Sequence, residues 1–174
     1  MKKHAFAPTS SSKSNNKQQL SYTSSQLENG ETEILDINDY ELPLFSEDKE
    51  AELGQPELAK AFLQKIANSD ALIISFAEHN GSYTAAYKNI FDWASRINPK
   101  VFQNKPMIML ATSPGPGGAA SVLTTATTSA PFFDGDVKAS LSVANFYDNF
   151  DIVRGRIINA SINEQLRSAL NSLR

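Results

Sequence analysis

The chain has 174 residues, of which 41% are apolar and 20% charged, so we expect a single domain of ordinary globular composition spanning 1–174. The absence of cysteine excludes disulfides, thiolate metal sites and a cysteine nucleophile. The formal net charge of −3 argues against an electrostatic nucleic-acid binder.

Other classes of protein are disfavoured by what the sequence lacks. The two histidines, His4 and His79, are too far apart in the chain to form a histidine metal pair, so we expect no metal. No apolar run approaches the roughly 20 residues of a membrane-spanning helix. The N-terminus also lacks the apolar segment of a secretory signal. We therefore expect a cytoplasmic protein whose chemistry, if any, uses an organic cofactor or a plain acid–base site.

Short apolar runs alternate with amphipathic stretches along the chain. In order, the pattern predicts strand 3–7, helix 14–27, strand 33–37, helix 56–66, strand 71–76, helix 83–97, strand 106–112, helix 117–129, strand 137–144 and helix 163–173. The runs 71–76 and 106–112 are apolar throughout, which is typical of strands that are buried on both faces. Five strand–helix units predict a parallel sheet with helices on both faces.

Five such units fit a flavodoxin-like fold, a three-layer α/β/α sandwich whose parallel sheet has the strand order 2-1-3-4-5. In such sheets a ligand binds beyond the carboxyl ends of the strands, at the switch point between strands 1 and 3. The loops that follow residues 7, 76 and 112 are therefore the expected site.

Acidic residues are concentrated in one segment, 31–57, which has ten acidic residues and only one lysine, Lys49. The preferred interpretation is a solvated surface that includes the start of a helix. The alternative is a docking surface for a basic partner.

The first loop, 8–16, is rich in hydroxyl groups and lies between the first strand and the first helix. A phosphate there would meet hydroxyl donors, free backbone N–H groups and the positive end of a helix dipole. The loop contains neither a Gly-x-Gly-x-x-Gly fingerprint nor a Gly-Lys-Ser/Thr ending. It suits a phosphomonoester that is held and not transferred, such as FMN, whereas the residues alone also allow a flexible polar terminus.

The second loop and the helix after it read Ala-Glu-His-Asn-Gly-Ser-Tyr-Thr-Ala-Ala-Tyr-Lys-Asn-Ile-Phe-Asp-Trp over 77–93. This segment resembles the motif Pro-Glu-Tyr-Asn-Gly-Ser-x-Pro-x-x-Leu-Lys-Asn-x-x-Asp-Trp of the NAD(P)H-dependent FMN reductase family, which includes quinone, azo-dye and chromate reductases. The first loop is similar to that family's Gly-Ser-x-Arg-x-x-Ser-x-Asn signature, and the third loop, 112–120, to its Ser-Pro-Gly-x-x-Gly-Gly stretch. The matched positions of the second loop are Glu78, Asn80, Gly81, Ser82, Lys88, Asn89, Asp92 and Trp93.

The resemblance implies FMN bound across the three loops and reduced by NADH or NADPH. It also implies ping-pong electron transfer to a quinone, azo, flavin or metal-oxyanion acceptor, and a homodimer or a dimer of dimers. No side chain is assigned a catalytic role, because hydride transfer to a flavin needs no protein base; His79 is interpreted as lining the ring. The implied cofactor-binding residues are Thr9, Ser11, Ser14, Asn16, Glu78, His79, Asn80, Gly81, Ser82, Ser113, Gly115, Gly117 and Gly118.

The chain departs from the family motifs at positions that affect this prediction. Pro8 and Ser11 stand where the family has glycine and arginine, so one phosphate N–H donor and one bidentate contact are lost and FMN binding is expected to be weaker. Ala77 and Thr84 replace prolines, which predicts less rigid loops.

The second half of the motif has ordinary structural interpretations. We expect Lys88 to pair with Asp92, Asn89 to cap or brace the loop, and Trp93 to pack in the core or in a dimer interface. Two other functions remain open at this point: a flavodoxin-type electron carrier, and a scaffold that has lost FMN binding.

Overall fold

The computed structural model describes residues 1–27 and 30–173, and its centre is a five-stranded sheet with the strand order β2-β1-β3-β4-β5. All neighbouring strands of this sheet are parallel. The predicted flavodoxin-like order is therefore confirmed. The strands are β1 (Lys2–Phe6), β2 (Glu31–Leu35), β3 (Ala71–Phe76), β4 (Lys105–Thr112) and β5 (Gly135–Val143).

Helices cover both faces of the sheet, as the alternating pattern predicts. On one face α1 and α7 pack through Leu20 and Leu166; on the other, α3, α4 and α5 pack through Phe62, Ile90 and Val122. The helices are α1 (Asn15–Ser25), α2 (Glu47–Leu53), α3 (Glu57–Ala67), α4 (Ala85–Ile97), α5 (Ala120–Ser129), α6 (Phe146–Asn149) and α7 (Ala160–Asn171).

The central strands explain the two fully apolar runs of the sequence. Every residue of β3 is buried, and so are the residues of β4 from Met107 to Thr112. A strand with neighbours on both sides and helices on both faces has no solvent-facing positions, so its sequence does not alternate.

Element boundaries differ from the predictions where local backbone chemistry decides them. The second strand is 31–35 and not 33–37, because Asp36 caps a short 3-10 helix, Ile37–Tyr40. The helix predicted from 83 begins at Ala85, after its capping residue Thr84. The helix predicted from 117 begins at Ala120, because Gly118 and Ala119 both have φ of +59°.

Several short elements are not predicted from the sequence. Helix α2 lies within the acidic segment and has no buried residue. An ion pair between Glu50 and Arg96 ties it to α4. This exposure fits the preferred interpretation of the segment as a solvated surface. The others are a 3-10 helix at Ala130–Phe133, the helix α6, and a small hairpin of β6 (Phe150–Asp151) and β7 (Arg156–Ile157).

Candidate cofactor-binding site

A cleft of about 270 Å³ opens at the carboxyl ends of β1, β3 and β4. Because these strands are parallel neighbours, the three predicted loops meet at this edge of the sheet. The cleft is lined by Thr9, Ser11, Lys13, Ser14, Asn15, Asn16, Ala77, Glu78, His79, Thr112, Ser113, Pro114 and Tyr147.

The first loop turns sharply after β1 and then enters α1. The N–H of Thr9 donates to the carbonyl of Ala7 at 2.7 Å, and the N–H of Ser11 donates to the Thr9 hydroxyl at 3.2 Å. Ser14 caps α1 by accepting from the N–H of Lys17. Both hydroxyl groups accept in these bonds, so each can still donate its own hydrogen to a ligand.

The start of α1 also presents unused backbone donors. Among the described residues, no hydrogen bond uses the backbone N–H of Lys13, Asn15 or Asn16. Free N–H groups at a helix N-terminus form a natural binding site for an anion. The donor chemistry of the first loop therefore fits a phosphate group.

Charge at the first loop comes from Lys13. Its neighbour Lys17 pairs with Asp36 at 3.2 Å. Burial alone would raise the pKa of Asp36, but hydrogen bonds from the N–H of Asn38 and from Lys17 outweigh it and hold that pKa below its usual value. Lys13 is exposed, lines the cleft and has no ion pair within 1–27 and 30–173, so its charge is available to an anion.

Two polar contacts hold the first loop from outside. The hydroxyl of Thr84 donates to the carbonyl of Pro8 at 2.9 Å, and the amide of Asn38 donates to the carbonyl of Ser10 at 3.2 Å. The loop is therefore anchored both to the start of α4 and to the segment after β2. Thr84 does not merely lose the rigidity of a proline, as the sequence suggested: it adds a bond that proline cannot make.

The side chain of Asn16 is committed to the protein. Its oxygen accepts from the Ser75 hydroxyl at 3.0 Å and from the N–H of Thr112 at 3.2 Å, and its NH2 group donates to the carbonyl of Thr112 at 3.3 Å. These buried bonds tie the start of α1 to β3 and to the end of β4. A ligand contact by Asn16 stays a prediction, and its free backbone N–H is the group best placed to make it.

The second loop is built around a two-residue turn. His79 and Ser82 exchange backbone hydrogen bonds at 3.0 and 3.1 Å, while Asn80 and Gly81 have φ of +52° and +74°. Two consecutive positive φ values characterise the turn that Asn-Gly favours. The backbone N–H groups of Asn80 and Gly81 have no partner among the described residues, so they can donate to a ligand edge.

Glu78 connects the second loop to the third. Its carboxylate lines the cleft and accepts from the N–H of Val122 at 2.8 Å, near the start of α5. A carboxylate at a helix N-terminus is also favoured by the helix dipole. The neighbouring His79 is an exposed side chain on the cleft wall, a position that agrees with a ring-lining role.

The third loop contributes Ser113 and Pro114 to the cleft, while its glycines have different surroundings. A Cβ on Gly118 would clash with the Ser142 hydroxyl oxygen, so glycine is needed there for packing against β5. Around Gly115 and Gly117 the space is open.

Seven of the thirteen predicted residues form part of the cleft wall, and the other six belong to the same loops without lining it. The lining residues are Thr9, Ser11, Ser14, Asn16, Glu78, His79 and Ser113; the remaining ones are Asn80, Gly81, Ser82, Gly115, Gly117 and Gly118.

Six lining residues were not among those predicted: Lys13, Asn15, Ala77, Thr112 and Pro114 belong to the predicted loops or their ends, whereas Tyr147 lies outside them. It lies on α6, directly after β5, and is 57% exposed. The available signal was its position, because the carboxyl end of the fifth strand lies at the same edge as the other four.

The second half of the motif lies away from the cleft. Trp93 is buried, donates from its indole N–H to the carbonyl of Pro43 at 2.8 Å and packs edge-on against Phe45. Asn89 accepts from the N–H of Phe45 at 2.8 Å, and its NH2 group donates to the carbonyls of Leu42 and Pro43. The expected core position of Trp93 is confirmed, as is the exposed pair of Lys88 with Asp92 at 2.6 Å. Asn89 holds the segment 42–45 and not the second loop, so the expected cap or brace of that loop is wrong.

Two further observations, on membrane-spanning helices and on metal sites, apply to the described residues 1–27 and 30–173. None of their helices is long and apolar enough to cross a membrane. They contain no group of three or more histidine and acidic side chains placed to hold a metal ion.

Comparison with known proteins adds sequence relatives. A family model described as NADPH-dependent FMN reductase matches residues 1–145. An NAD(P)H-dependent FMN reductase of Pseudomonas aeruginosa is 31% identical over 143 residues, which cover 81% of this chain and 75% of that protein.

An NADPH:quinone oxidoreductase of Arabidopsis thaliana is 39% identical over 89 residues, or 51% of this chain and 44% of the plant protein. A 2-hydroxy-1,4-benzoquinone reductase of Burkholderia is 42% identical over 80 residues, covering 45% and 43%. The matches therefore span less than half the length of these last two relatives.

Among solved structures, the flavoenzyme NAD(P)H:(acceptor) oxidoreductase FerB of Paracoccus denitrificans superposes with a TM-score of 0.77 and 24% identity. The superposition covers 99% of this chain and 94% of that one. This likeness shows a shared fold.

Proposed function

Because this chain belongs to the NADPH-dependent FMN reductase family, we propose that it is a flavin oxidoreductase that holds FMN in the cleft at the strand ends and is reduced by NADH or NADPH. The observation that carries the proposal is the meeting of Lys13, the loop hydroxyls and the free N–H groups of α1 in one cleft. These donors suit a phosphate that is bound and retained.

Different residues of the cleft would bind different parts of FMN. Lys13, Ser11, Ser14 and the start of α1 would hold the phosphate, while Ser113 and Tyr147 would bound other parts of the cleft. The N–H groups of the 79–82 turn would donate to the pyrimidine edge of the ring and stabilise the negative charge that develops there on reduction. Gly115 and Gly117, whose surroundings are open, would leave room for backbone approach from the third loop.

FMN held in this cleft would supply the redox chemistry, which is hydride acceptance from NAD(P)H and electron transfer to a second substrate in ping-pong order. The protein supplies binding, orientation and fixed dipoles. His79 would line the ring without moving a proton.

We further propose a quinone as the electron acceptor, because relatives from Arabidopsis and Burkholderia are named as quinone reductases. Azo compounds, free flavin and metal oxyanions are the other acceptors to compare. We also propose that the protein is cytoplasmic and that it forms a homodimer or a dimer of dimers.

The test starts from purified protein with added FMN under anaerobic conditions. We expect flavin absorbance that co-elutes with the protein, bleaches on addition of NADPH or NADH and returns on addition of 1,4-benzoquinone. Parallel lines in double-reciprocal plots would support the ping-pong order, and intersecting lines would contradict it. Retained flavin that neither nucleotide reduces would indicate a carrier, and protein that ignores FMN would indicate a scaffold.

Lys13→Met tests the phosphate end separately. We expect FMN affinity to fall about tenfold at low salt and less at high salt, because one screened charge interaction is lost, while riboflavin affinity stays unchanged. Lys49→Met removes an exposed lysine from α2, far along the chain from the cleft, and serves as the matched control. Equal losses in both variants would contradict a specific role for Lys13.

A further inference from the structure

Thr84 joins the first loop to the second through a single buried hydroxyl group. The side chain is only 2% exposed. Its Oγ1 donates to the carbonyl of Pro8 at 2.9 Å and accepts from the N–H of Tyr87 at 3.2 Å. The hydroxyl has one hydrogen, and that hydrogen is used in the bond to Pro8.

The bond from Thr84 has a large effect on the backbone at Pro8. Proline has no N–H, so its carbonyl is the only backbone polar group by which residue 8 can be held. The peptide plane after Pro8 is rigid, and fixing its carbonyl also fixes the direction of the Thr9 N–H, which bonds to Ala7 at 2.7 Å. Thr84 therefore sets the orientation from which the chain enters residues 9–14.

The first loop is held less firmly at Ser10 than at Pro8. The Asn38 amide that donates to the carbonyl of Ser10 belongs to a residue that is itself exposed and competes with water. The Thr84–Pro8 bond is buried and faces no such competition. Its loss would leave the Pro8 carbonyl without this buried partner.

We propose that Thr84 is a positioning residue for the phosphate end of the flavin, acting through the carbonyl of Pro8 without contacting the ligand. The proposal rests on the proposed function, because it assumes that FMN binds in the cleft. Thr84 is not a lining residue of that cleft, whereas Thr9, Ser11 and Ser14 of the loop it holds are. Its identity then affects how strongly the protein prefers FMN to riboflavin, which lacks the phosphate.

The competing interpretation is that Thr84 only caps α4. A lost cap would lower stability and loosen the start of α4 beside the 79–82 turn, and so affect both flavins alike. A displaced first loop would weaken FMN alone. The ratio of the two dissociation constants therefore separates the two roles.

The experiment measures binding of FMN and riboflavin to purified wild-type protein, Thr84→Val and Thr84→Ser by quenching of flavin fluorescence. For Thr84→Val we expect FMN affinity to fall about tenfold and riboflavin affinity to change less than about twofold. Thr84→Ser keeps the hydroxyl and should restore the wild-type ratio. If Thr84→Val does not fold, Thr84→Ala replaces it as a smaller side chain at the same cap.

The matched control is Ser46→Ala. Ser46 caps α2 by accepting from the N–H of Lys49 at 3.1 Å, and its hydroxyl makes no bond to the first or second loop. We expect a lower urea midpoint with an unchanged FMN-to-riboflavin ratio. If Thr84→Val leaves the ratio of the FMN and riboflavin dissociation constants unchanged, whether both affinities fall equally or neither falls, the role of Thr84 is overturned. Wild-type protein that binds neither flavin would instead overturn the proposed function.

Discussion

The segment 77–93 contains two halves that do different work, although both match one family motif. Residues 77–84 form the second loop at the cleft, and its turn at 79–82 is exposed. Asn80 and Gly81 have positive φ values, and their N–H groups are unpaired among the described residues. Residues 88–93 lie on α4, where Asn89 and Trp93 hold the chain at 42–45. The first half leaves the two N–H groups at the tip of its turn free for a ligand, and the second half uses its polar atoms within the protein.

The difference shows that a motif at fixed spacing can combine binding and folding requirements. The turn at 79–82 is closed by its own backbone hydrogen bonds, whereas the helix after it needs side-chain anchoring. Asn89 and Trp93 supply part of that anchoring by packing α4 against the acidic segment. Changes in the second half should therefore affect stability far more than flavin affinity, and changes in the first half the reverse.

Trp93→Ala should produce the largest effect. It removes a buried indole, its packing on Phe45 and its hydrogen bond to Pro43, so we expect about 3–5 kcal/mol less stability in urea unfolding. The fraction that stays folded at low temperature should bind FMN within about twofold of wild type. Trp93→Phe keeps a ring against Phe45 and should recover much of the stability. A large loss of FMN affinity in folded Trp93→Ala would break the comparison.

Asn89→Ala should come next, with a stability loss of about 1–3 kcal/mol. The variant leaves the Phe45 N–H and the Leu42 carbonyl without their side-chain partner, while the Pro43 carbonyl keeps its bond from Trp93. Asn68→Ala is the control, because within the described part of the chain its exposed side chain makes one hydrogen bond, accepted from Gln64. Urea midpoints measure the difference. Equal costs in the two variants would mean that the 42–45 brace contributes nothing.

Much of this architecture follows from the sequence alone. The apolar runs at 71–76 and 106–112 place the central strands, and the alternation of strands and helices gives the sheet order and brings three loops to one edge. The Asn-Gly pair at 80–81 identifies the turn through its backbone requirement. These signals are local, or they depend on burial that covers a whole element.

Contacts between distant residues were not predictable in this way. Thr84 and Pro8 are 76 positions apart, and Glu78 meets Val122 only because two loops converge. Helix α2 was missed because it has no buried residue and therefore no apolar period. The start of α5 depends on positive φ at Gly118 and Ala119, which composition does not reveal.

Gly81→Ala tests the first half with a smaller stability effect. A Cβ there meets open space, so the cost is the strain of an alanine at φ +74°, about 1–2 kcal/mol. Gly155→Ala is a matched control, since Gly155 has φ of +62°, equally open surroundings and no place in the cleft. We expect similar urea midpoints for the two variants but weaker binding of both FMN and riboflavin in Gly81→Ala alone. Unchanged flavin binding in Gly81→Ala would contradict a role for the turn at the ring edge.

Lys88→Met should have the smallest effect on stability. It also tests whether residue 88 belongs to the half that binds the flavin or to the half that stabilises the fold. Its pair with Asp92 is exposed, and a lysine N-terminal to its acidic partner is the less favourable order on a helix, so we expect about 0.3 kcal/mol of stability lost at low salt and nothing at high salt. Lys60→Met, which breaks the exposed pair with Glu57, is the control for a helical ion pair elsewhere. Flavin binding should be unchanged in both variants, because the Lys88 charge is directed to Asp92 and its side chain is absent from the cleft wall. A drop in FMN affinity for Lys88→Met alone would move residue 88 into the binding half and place the division between binding and folding after it.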